Sequence, residues 1–356
     1  MGQNILVTGA AGYIGGSVLA SFVTRTSGPI NAASISAVVR SEDQVQALSK
    51  LGVNVIQVDL SDEMALNEAV VRNEIDIVVH IASSIDSRVV SHLITALGQR
   101  RKASGEEVFF IHSSVAALFA TEGGWLYGEV KDTDQRFEKE KQIGGPHPVR
   151  ETNILVTEHA KAQGVTSLNV VVPTVYGRGS GEWRKLSVNI PAYTRASIKH
   201  KIVYKFDKDG SPPAVHISDL TALYALLVEK ILQKEQAPSG EKGYYFAMAH
   251  RAPWWDVMQH LADALHARGL VAEPKVQIWP SDEMAAEYLG FPLLYIRAMC
   301  TSTGQLVPVN AYRLGCQPKW DEKRFLESMD DEIRAVQELD KVKDTVFDSI
   351  LPSSRN

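Results

Sequence analysis

The chain has 356 residues, 45% of them hydrophobic and 22% charged, and its 37 Lys and Arg against 42 Asp and Glu give a formal net charge of −5 at pH 7. This acidic balance without a basic tract argues against nucleic acid as the main partner. Two cysteines, Cys300 and Cys316, are too few for a disulfide framework, and the absence of a signal peptide and of any apolar run of about 18 residues predicts a cytoplasmic protein without a membrane partner.

The N-terminal half alternates short apolar runs with amphipathic segments. Strands are predicted at residues 4–9, 34–40, 53–59, 76–82, 107–114 and 167–173, and helices fall between most of them. Such alternation is typical of a parallel sheet covered by helices on both faces, with ligands at the carboxyl ends of the strands. We therefore predict an α/β fold with a doubly wound parallel sheet.

The pattern becomes irregular beyond the sixth strand. A strand and a strong helix over 214–233 predict a return to the sheet, and the later segments predict helices separated by linkers that contain proline. We predict a dinucleotide-binding domain at 1–178 to which 214–233 returns. Residues 179–213 and 234–356 would form a smaller, mostly helical substrate-binding lobe.

A glycine-rich turn joins the first predicted strand to the first predicted helix. The segment TGAAGYIGG places Gly9, Gly12 and Gly15 in a G-x-x-G-x-x-G spacing. Glycine permits a tight turn and lets the helix N-terminal amides approach a pyrophosphate closely, whereas the competing interpretation is a tight turn with no ligand. The predicted cofactor contacts in this segment are Gly9, Ala11, Gly12, Tyr13, Ile14 and Gly15.

Four segments carry a family resemblance. TGAAGYIG, VVHIASS at the fourth strand and VVPTVYGRGSG after the sixth resemble the extended short-chain dehydrogenase/reductases, which include the NAD(P)-dependent nucleotide-sugar epimerases and dehydratases. YRLGCQPKW, residues 312–320, is similar to a segment near the C-terminus of that family. The resemblance covers nearly the whole chain and implies a Rossmann fold, a nicotinamide dinucleotide and a small-molecule substrate. A homodimer is a candidate assembly.

The end of the second strand identifies the cofactor in this family. A carboxylate there binds the ribose 2′-hydroxyl of NAD, whereas an arginine pairs with the 2′-phosphate of NADP. Arg40 ends this strand and favours NADP(H) over NAD(H), although a solvated charge at a strand end is the alternative. Glu42 and Asp43 follow slightly later and keep NAD open.

The resemblance implies further cofactor contacts at three strand ends. Asp59 with Leu60 stands where the family contacts adenine, and a helix cap is the alternative role for Asp59. Small residues after the fourth strand match those that line the cofactor, with a plain loop as the competing interpretation. The residues in question are Ala82, Ser83 and Ser84, and those expected to face the nicotinamide after the sixth strand are Pro173, Thr174 and Val175.

Three groups perform the chemistry in the family: a Ser or Thr after the fifth strand, a Tyr, and a Lys four residues after that Tyr on the same helix. The Lys lowers the pKa of the Tyr, which must exchange a proton near neutral pH. Ser113 and Ser114 end the fifth strand, and Ser114 is the preferred candidate for holding the substrate oxygen. Two polar residues that merely end a strand are the alternative.

Tyr127 and Lys131, in YGEVK, fit the Tyr-x-x-x-Lys spacing, which would place both on one face of a helix. Yet the family's Tyr-Lys helix runs directly into the sixth strand, and that helix begins here near Pro148. YGEVK is therefore either a displaced catalytic pair or a loop. His147 stands at the family tyrosine's usual place and could act as acid or base, with Arg150 as a fixed cation, or it could be structural.

Residues after the sixth strand should shape the substrate site. The candidates are Tyr176, Arg178, Trp183 and Arg184. The leading hypothesis is an NADP(H)-dependent oxidoreductase that acts on a carbonyl or alcohol of a small metabolite. The alternatives are a nucleotide-sugar epimerase or dehydratase, and a regulator that senses NAD(P) without turnover.

Overall fold

A computed structural model describes residues 3–339 of the chain. In chain order the first elements are β1 (Asn4–Thr8), α1 (Tyr13–Val23), β2 (Ile35–Val39), α2 (Glu42–Ser49), β3 (Asn54–Gln57), α3 (Glu63–Arg72), β4 (Ile75–His80), α4 (Ser87–Ser104), β5 (Phe109–Val115), β6 (Val130–Lys131), α5 (Arg136–Ile143), α6 (Pro148–Gln163) and β7 (Thr166–Val172).

The elements that follow are β8 (Thr174–Tyr176), α7 (Asn189–His200), β9 (Val203–Lys205), β10 (Pro213–His216), α8 (Ile217–Leu232), β11 (Tyr244–Phe246), β12 (His250–Arg251), α9 (Trp254–Ala267), β13 (Val276–Ile278), α10 (Asp282–Leu289), α11 (Ile296–Thr301), β14 (Leu306–Val307), α12 (Asn310–Arg313), α13 (Glu322–Glu327) and α14 (Met329–Leu339). Short 3₁₀ turns lie at Ala32–Ser34, Ala116–Phe119, Thr121–Gly123, Gly240–Lys242 and Leu293–Tyr295.

A seven-stranded parallel sheet forms the centre of the molecule, in the order β11-β7-β5-β4-β1-β2-β3. All of its strands except the edge strand β3 are buried on both faces. Ile77 and Val79 of β4 pack toward α1 and α8, whereas Val78 packs toward α3, α4 and α6. This burial explains the continuous apolar runs in the sequence. The predicted α/β fold with a doubly wound parallel sheet is confirmed.

Segment 214–233 was predicted to return to the large sheet, and this is wrong for the strand that the segment contains. Strand β10 pairs with β8 and β12 in a separate small sheet, although α8 does pack on α1. The seventh strand of the large sheet is β11, whose Tyr244 and Phe246 pair with β7. Pro173 has no N–H to donate to a sheet ladder, so the chain leaves the large sheet after β7 and β8 begins a new one.

A second hydrophobic cluster gathers residues of α7, α9, α10 and α14. Helix α14 packs on both α7 and α9, which fits the predicted helical lobe. The domain boundaries themselves stay a prediction, and the part of the predicted lobe at 340–356 lies outside the described residues. Within residues 3–339, no helix is long and apolar enough to cross a membrane.

Candidate functional site

The glycine turn between β1 and α1 has the backbone that its sequence predicts. Gly9 has a positive φ of 70°, and the amide of Gly12 donates to the carbonyl of Gly9 at 2.8 Å. A Cβ atom on Gly15 would overlap that same carbonyl oxygen, so the close approach of helix to strand requires glycine. The first amides of α1 have no intrahelical acceptor and fit the pyrophosphate of a dinucleotide.

The other predicted residues of this turn are mainly packed inside the protein. Ala11 is buried and Ile14 is half-buried. The Tyr13 side chain is also buried, and its hydroxyl donates to the carbonyl oxygen of Gly177 at 2.7 Å. Burial, followed by the nearby Glu332 and Tyr176, raises the pKa of Tyr13 well above its usual range. Tyr13 therefore serves as a neutral tether between the glycine turn and the loop after β8.

Arg40 and Asp59 lie close together at the carboxyl edge of the sheet, and both side chains are exposed. Asp59 accepts hydrogen bonds from the amide and hydroxyl of Ser61, both at 2.9 Å. These bonds, followed by the positive charges of Arg40 and Arg88, lower the pKa of Asp59. Asp59 is not the cap of α3, as the alternative held, because Asp62 caps that helix. Leu60 is half-buried against the α3 and α4 side of the sheet.

The small residues after β4 form the turn that leads into α4. Ala82 lies directly beside Gly9, since a Cβ atom on Gly9 would be 2.9 Å from the Ala82 amide nitrogen. The Ser83 hydroxyl accepts hydrogen bonds from the amides of Ile85 and Asp86, and Ser84 is half-buried. Ser83 thus has a role within the turn itself.

Ser113 and Ser114 point to opposite faces of β5. Ser113 Oγ is 2.6 Å from the hydroxyl of Tyr224 on α8. Ser114 is 1% exposed, and its Oγ has no hydrogen-bond partner among the described residues. A buried hydroxyl without a partner is costly unless a ligand binds it. Of the two hydroxyls, only that of Ser114 is left without a hydrogen-bond partner within residues 3–339.

His147 lies at the same edge of the sheet as Ser114. Helix α6 begins at Pro148 and leads through a two-residue connection into β7, so it runs antiparallel to that strand. Its N-terminus therefore lies at the carboxyl end of the parallel strands, where Ser114 pairs with Val171 of β7. His147 is half-buried, and its Nδ1 has no hydrogen-bond partner on another residue of 3–339. Burial, followed by the charge of Arg150, lowers its pKa.

Tyr127 and Lys131 do not share a helix face, which corrects that part of the prediction. Tyr127 lies in a bend of the chain, is 40% exposed and donates from its hydroxyl to Gln142 Oε1 at 3.3 Å. Lys131 is exposed and belongs to the two-residue strand β6, which pairs with β14. The positive φ of 64° at Gly128 and the pairing of β6 prevent the helix that this spacing needs.

Arg150 is buried and bonded to the backbone. Its guanidinium donates to the carbonyl of Gly144 at 3.1 Å and to that of Gly123 at 3.3 Å. Burial lowers the pKa of Arg150, although Glu140 opposes this effect. The side chain thus fastens the loop after β5 to the first turn of α6, which is a positioning role.

A row of buried polar side chains crosses the sheet below Ser114. Thr8, His80, His112 and Asn169 are successive register partners on β1, β4, β5 and β7. Thr8 Oγ1 and His80 Nδ1 are 2.8 Å apart. Burial lowers the pKa of His80 to about 4 and that of His112 well below its usual range, with His80 as a further cause for His112. Both rings are therefore neutral at neutral pH.

The predicted residues after β7 do not gather around one pocket. Pro173, Thr174 and Val175 are half-buried at the start of the small sheet. Tyr176 is buried in the second hydrophobic cluster, and its hydroxyl is 2.8 Å from Nε2 of His250. The other three lie in the loop after β8: Arg178 pairs with Glu338 at 2.6 Å, Trp183 packs against the core that includes α1, and Arg184 is half-buried.

Glu332 is a buried carboxyl that the sequence prediction missed. It lies on α14, is 3% exposed and accepts the amide of Gly177 at 2.5 Å. Burial, with a smaller contribution from Asp331, raises its pKa to about 7. The signal was present in the sequence, because Glu332 stands three residues after Met329 and adjoins Ile333 on the apolar face of α14. Gly177 is thus held between Tyr13 and Glu332.

Glu332→Gln is expected to change the pH dependence of stability. The folded-state pKa of Glu332 is raised, so its contribution is fully present below about pH 4.5 and is lost as pH rises toward 7. The glutamine keeps an acceptor for Gly177 and does not ionise. Between pH 5 and pH 8 the variant should gain about 2–3 kcal/mol in unfolding free energy relative to the wild type, measured by urea denaturation.

The matched control for this prediction is Glu338→Gln on the same helix. Glu338 is half-exposed and forms a surface ion pair, so its replacement should change stability by less than about 1 kcal/mol at either pH. An equal and pH-independent effect of the two substitutions would contradict the assignment to Glu332.

Comparison with known proteins agrees with the fold. A model described as the NmrA-like family matches residues 1–98, the segment from β1 into α4. No curated protein matches the sequence.

Solved structures match over almost the full length. UDP-glucose 4-epimerase from Thermotoga maritima, with UDP-glucose, is 16% identical with a TM-score of 0.63 and covers 94% of this chain and 100% of its own. L-threonine dehydrogenase from Phytophthora infestans is 15% identical with a TM-score of 0.62 and covers 94% and 99%.

A third structure, UDP-glucuronic acid 4-epimerase from Bacillus cereus with UDP-glucuronic acid and NAD, is 14% identical with a TM-score of 0.60 and covers 94% and 100%. At these identities the likeness shows a common fold. The resemblance to extended short-chain dehydrogenase/reductases is thereby confirmed at the level of the fold.

Proposed function

We propose that this protein is an NADP(H)-dependent oxidoreductase that interconverts a carbonyl and an alcohol of a small metabolite. The observation that carries the proposal is the buried Ser114 hydroxyl without a protein partner in the described chain, at the strand edge where ligands of this fold bind. The same edge carries the glycine turn on one side and His147 on the other. Dehydrogenases are among the solved structures with the same fold, and the proposal assigns a reaction of that type to this chain.

The cofactor supplies a hydride, or accepts one, when it is bound. The turn residues Gly9, Gly12 and Gly15 would hold its pyrophosphate, with Pro173, Thr174 and Val175 near the nicotinamide. Arg40 would pair with the 2′-phosphate.

Ser114 and His147 would act on the substrate oxygen. The Ser114 hydroxyl donates a hydrogen bond to that oxygen and fixes its position. His147 gives a proton to the oxygen when the carbonyl is reduced and removes that proton when the alcohol is oxidised. Because its pKa is lowered, His147 is mainly neutral at neutral pH, so alcohol oxidation should be favoured at neutral pH and reduction at lower pH.

Titration with NADPH and NADH tests the cofactor part of the proposal. Arg40→Glu is expected to raise the NADPH Kd by about 10- to 100-fold, because it replaces a charge-assisted hydrogen bond with repulsion of the phosphate. The NADH Kd should change by less than about threefold. Protein and nucleotide fluorescence would report both affinities.

The control variant is Arg72→Glu, which makes the same charge change at an exposed surface ion pair at the end of α3. Helix α3 leads into β4, so Arg72 lies at the opposite edge of the sheet from Arg40. Equal effects of the two substitutions would indicate a general charge effect, and tighter binding of NADH than NADPH by the wild type would overturn the NADP(H) assignment.

A non-catalytic NAD(P) sensor is the second candidate. The observation in its favour is the lack of a Tyr-x-x-x-Lys helix at YGEVK. A nucleotide-sugar epimerase or dehydratase is the third candidate. It usually needs a Tyr-x-x-x-Lys pair, so the same observation weighs against it. Tight NADPH binding without turnover of any carbonyl would favour the sensor.

A further inference from the structure

We infer that the substrate of this site is an apolar, uncharged carbonyl compound or alcohol, and that the site does not take a phosphorylated or carboxylated substrate. This inference rests on the proposed function, because it concerns the molecule whose oxygen Ser114 and His147 would hold. Two observations support it: the side chains around these two residues are mainly apolar, and the nearby cationic side chains are paired with groups of the protein itself.

Ser114 is bordered by an apolar cluster on the side where the chain continues. The next residues, Val115 and Ala116, belong to this cluster or pack against it, and so does Val171, the register partner of Ser114. The loop that follows adds buried aromatic residues. These are Phe119 and Trp125, whose ring centroids are 5.0 Å apart.

The surroundings of His147 belong to the same cluster. Val149, two residues later on α6, is one of its buried members. Ile85, from the turn after β4, and Met248, after β11, are half-buried against it. The two groups proposed to handle the substrate oxygen therefore border the same buried apolar cluster. A ligand that lies against the edge of this cluster would meet mainly apolar side chains, which favours an apolar ligand body with few polar contacts.

The arginines around this cluster lie beside acceptors or carboxylates of the protein itself. The Arg136 guanidinium packs over the Tyr244 ring of the cluster, donates to the carbonyl of Lys131, and has the carboxylates of Asp132 and Glu140 nearby. Arg150 donates to two backbone carbonyls, as described above. Arg251 donates to Ser211 Oγ and to the carbonyls of Thr303 and Gly304. Gly304 packs on Ala120, so Arg251 supports the loop that follows β5.

Arg178 and Lys208 are also paired. Arg178 contacts Glu338 at 2.6 Å, and Lys208 contacts Glu122 at 2.7 Å in the loop after β5. Placing a phosphate or carboxylate against the apolar cluster without a cation would carry a large desolvation cost. An anionic substrate would have to break one of these pairs, whereas an apolar substrate leaves them intact.

The test uses two matched series of ligands with the full-length protein and NADPH. One series is unbranched aldehydes of three to eight carbons, and the other has the same chains ending in a carboxylate. The value of kcat/KM should rise several-fold per methylene in the first series. At each length the carboxylated aldehyde should be at least tenfold poorer.

A binding measurement separates this inference from the proposed reaction. Primary amides of the same chain lengths present a carbonyl oxygen but are not reduced, and their binding to the protein–NADPH complex would be followed by nucleotide fluorescence. Affinity that rises with chain length and falls at least tenfold with a terminal carboxylate supports the inference. An affinity that does not change with chain length, or that is higher for the carboxylated series, overturns the inference.

Two variants sharpen the result. Ile85→Lys should lower the affinity for the apolar amides at least tenfold and narrow the difference in affinity between the two series. Val71→Lys, at an exposed apolar residue near the end of α3, should leave the affinity and the difference nearly unchanged. Unaltered selectivity in a folded Ile85→Lys protein would contradict the assignment of this cluster to the ligand site. If the amides bind in the expected order but no aldehyde is reduced, the ligand class stands and the oxidoreductase proposal fails.

Discussion

Ser114→Ala and His147→Phe are each expected to lower kcat by about 10²- to 10⁴-fold while the NADPH Kd stays within about threefold of the wild type. The first substitution removes the hydroxyl that positions the substrate oxygen, and the second removes the proton donor and acceptor. Both leave the glycine turn and Arg40 in place, so cofactor binding should survive. Steady-state kinetics with a carbonyl substrate and NADPH titration would measure the two effects separately.

Tyr127→Phe is the control for this prediction. The Tyr127 hydroxyl contacts Gln142 at the surface, so its loss should change kcat by less than about twofold. The pH profile adds a further check, because the acid limb of alcohol oxidation should follow a group with a pKa below that of free histidine and disappear in His147→Phe. Loss of turnover in Tyr127→Phe with full activity in His147→Phe would reverse the assignment.

Gly177→Ala is expected to lower the unfolding free energy by more than about 3 kcal/mol. Gly177 has a positive φ of 93°, and a Cβ atom there would overlap Nε2 of the His216 ring. That ring cannot move away freely, since it stacks on Trp320 with centroids 3.8 Å apart and its Nδ1 is 2.8 Å from Ser218 Oγ. Urea unfolding would give the free energy.

Gly269→Ala separates backbone strain from steric overlap. Gly269 also has a positive φ, of 66°, but a Cβ atom there would have nothing within 4 Å. Its replacement should therefore cost only about 1 kcal/mol. Equal losses for the two variants would show that the overlap at Gly177 is relieved by a small shift of the loop.

The glycine turn and the doubly wound sheet could be predicted because their signals are local. The spacing of Gly9, Gly12 and Gly15 determines the turn, and the period of the apolar runs determines the strands beside it. The opposite orientation of Ser113 and Ser114 also follows from the alternation of side chains along a strand. These features need no knowledge of distant contacts.

The features that escaped prediction depend on distant partners. Strand β11 has only three residues and joins β7 from about 75 positions away, so no local pattern marks it as the sheet edge. YGEVK matched a spacing pattern, but the pairing of β6 with β14 decides its backbone. The contacts of Arg150 and Tyr176 likewise depend on residues that folding brings to them, Gly123 and His250 respectively.

The double tether of Gly177 has a consequence for how the protein is made. Tyr13 reaches a residue 164 positions later, and Gly177 in turn reaches Glu332, 155 positions further on. Contacts of such sequence separation form late in folding and slow it, because long loops must close first. The ribosome must therefore add another 155 residues after Gly177 before the bond to Glu332 can form. Nascent chains that end before Glu332 lack the second bond to Gly177. The loop after β8 should therefore be more accessible to proteases and chaperones in such chains.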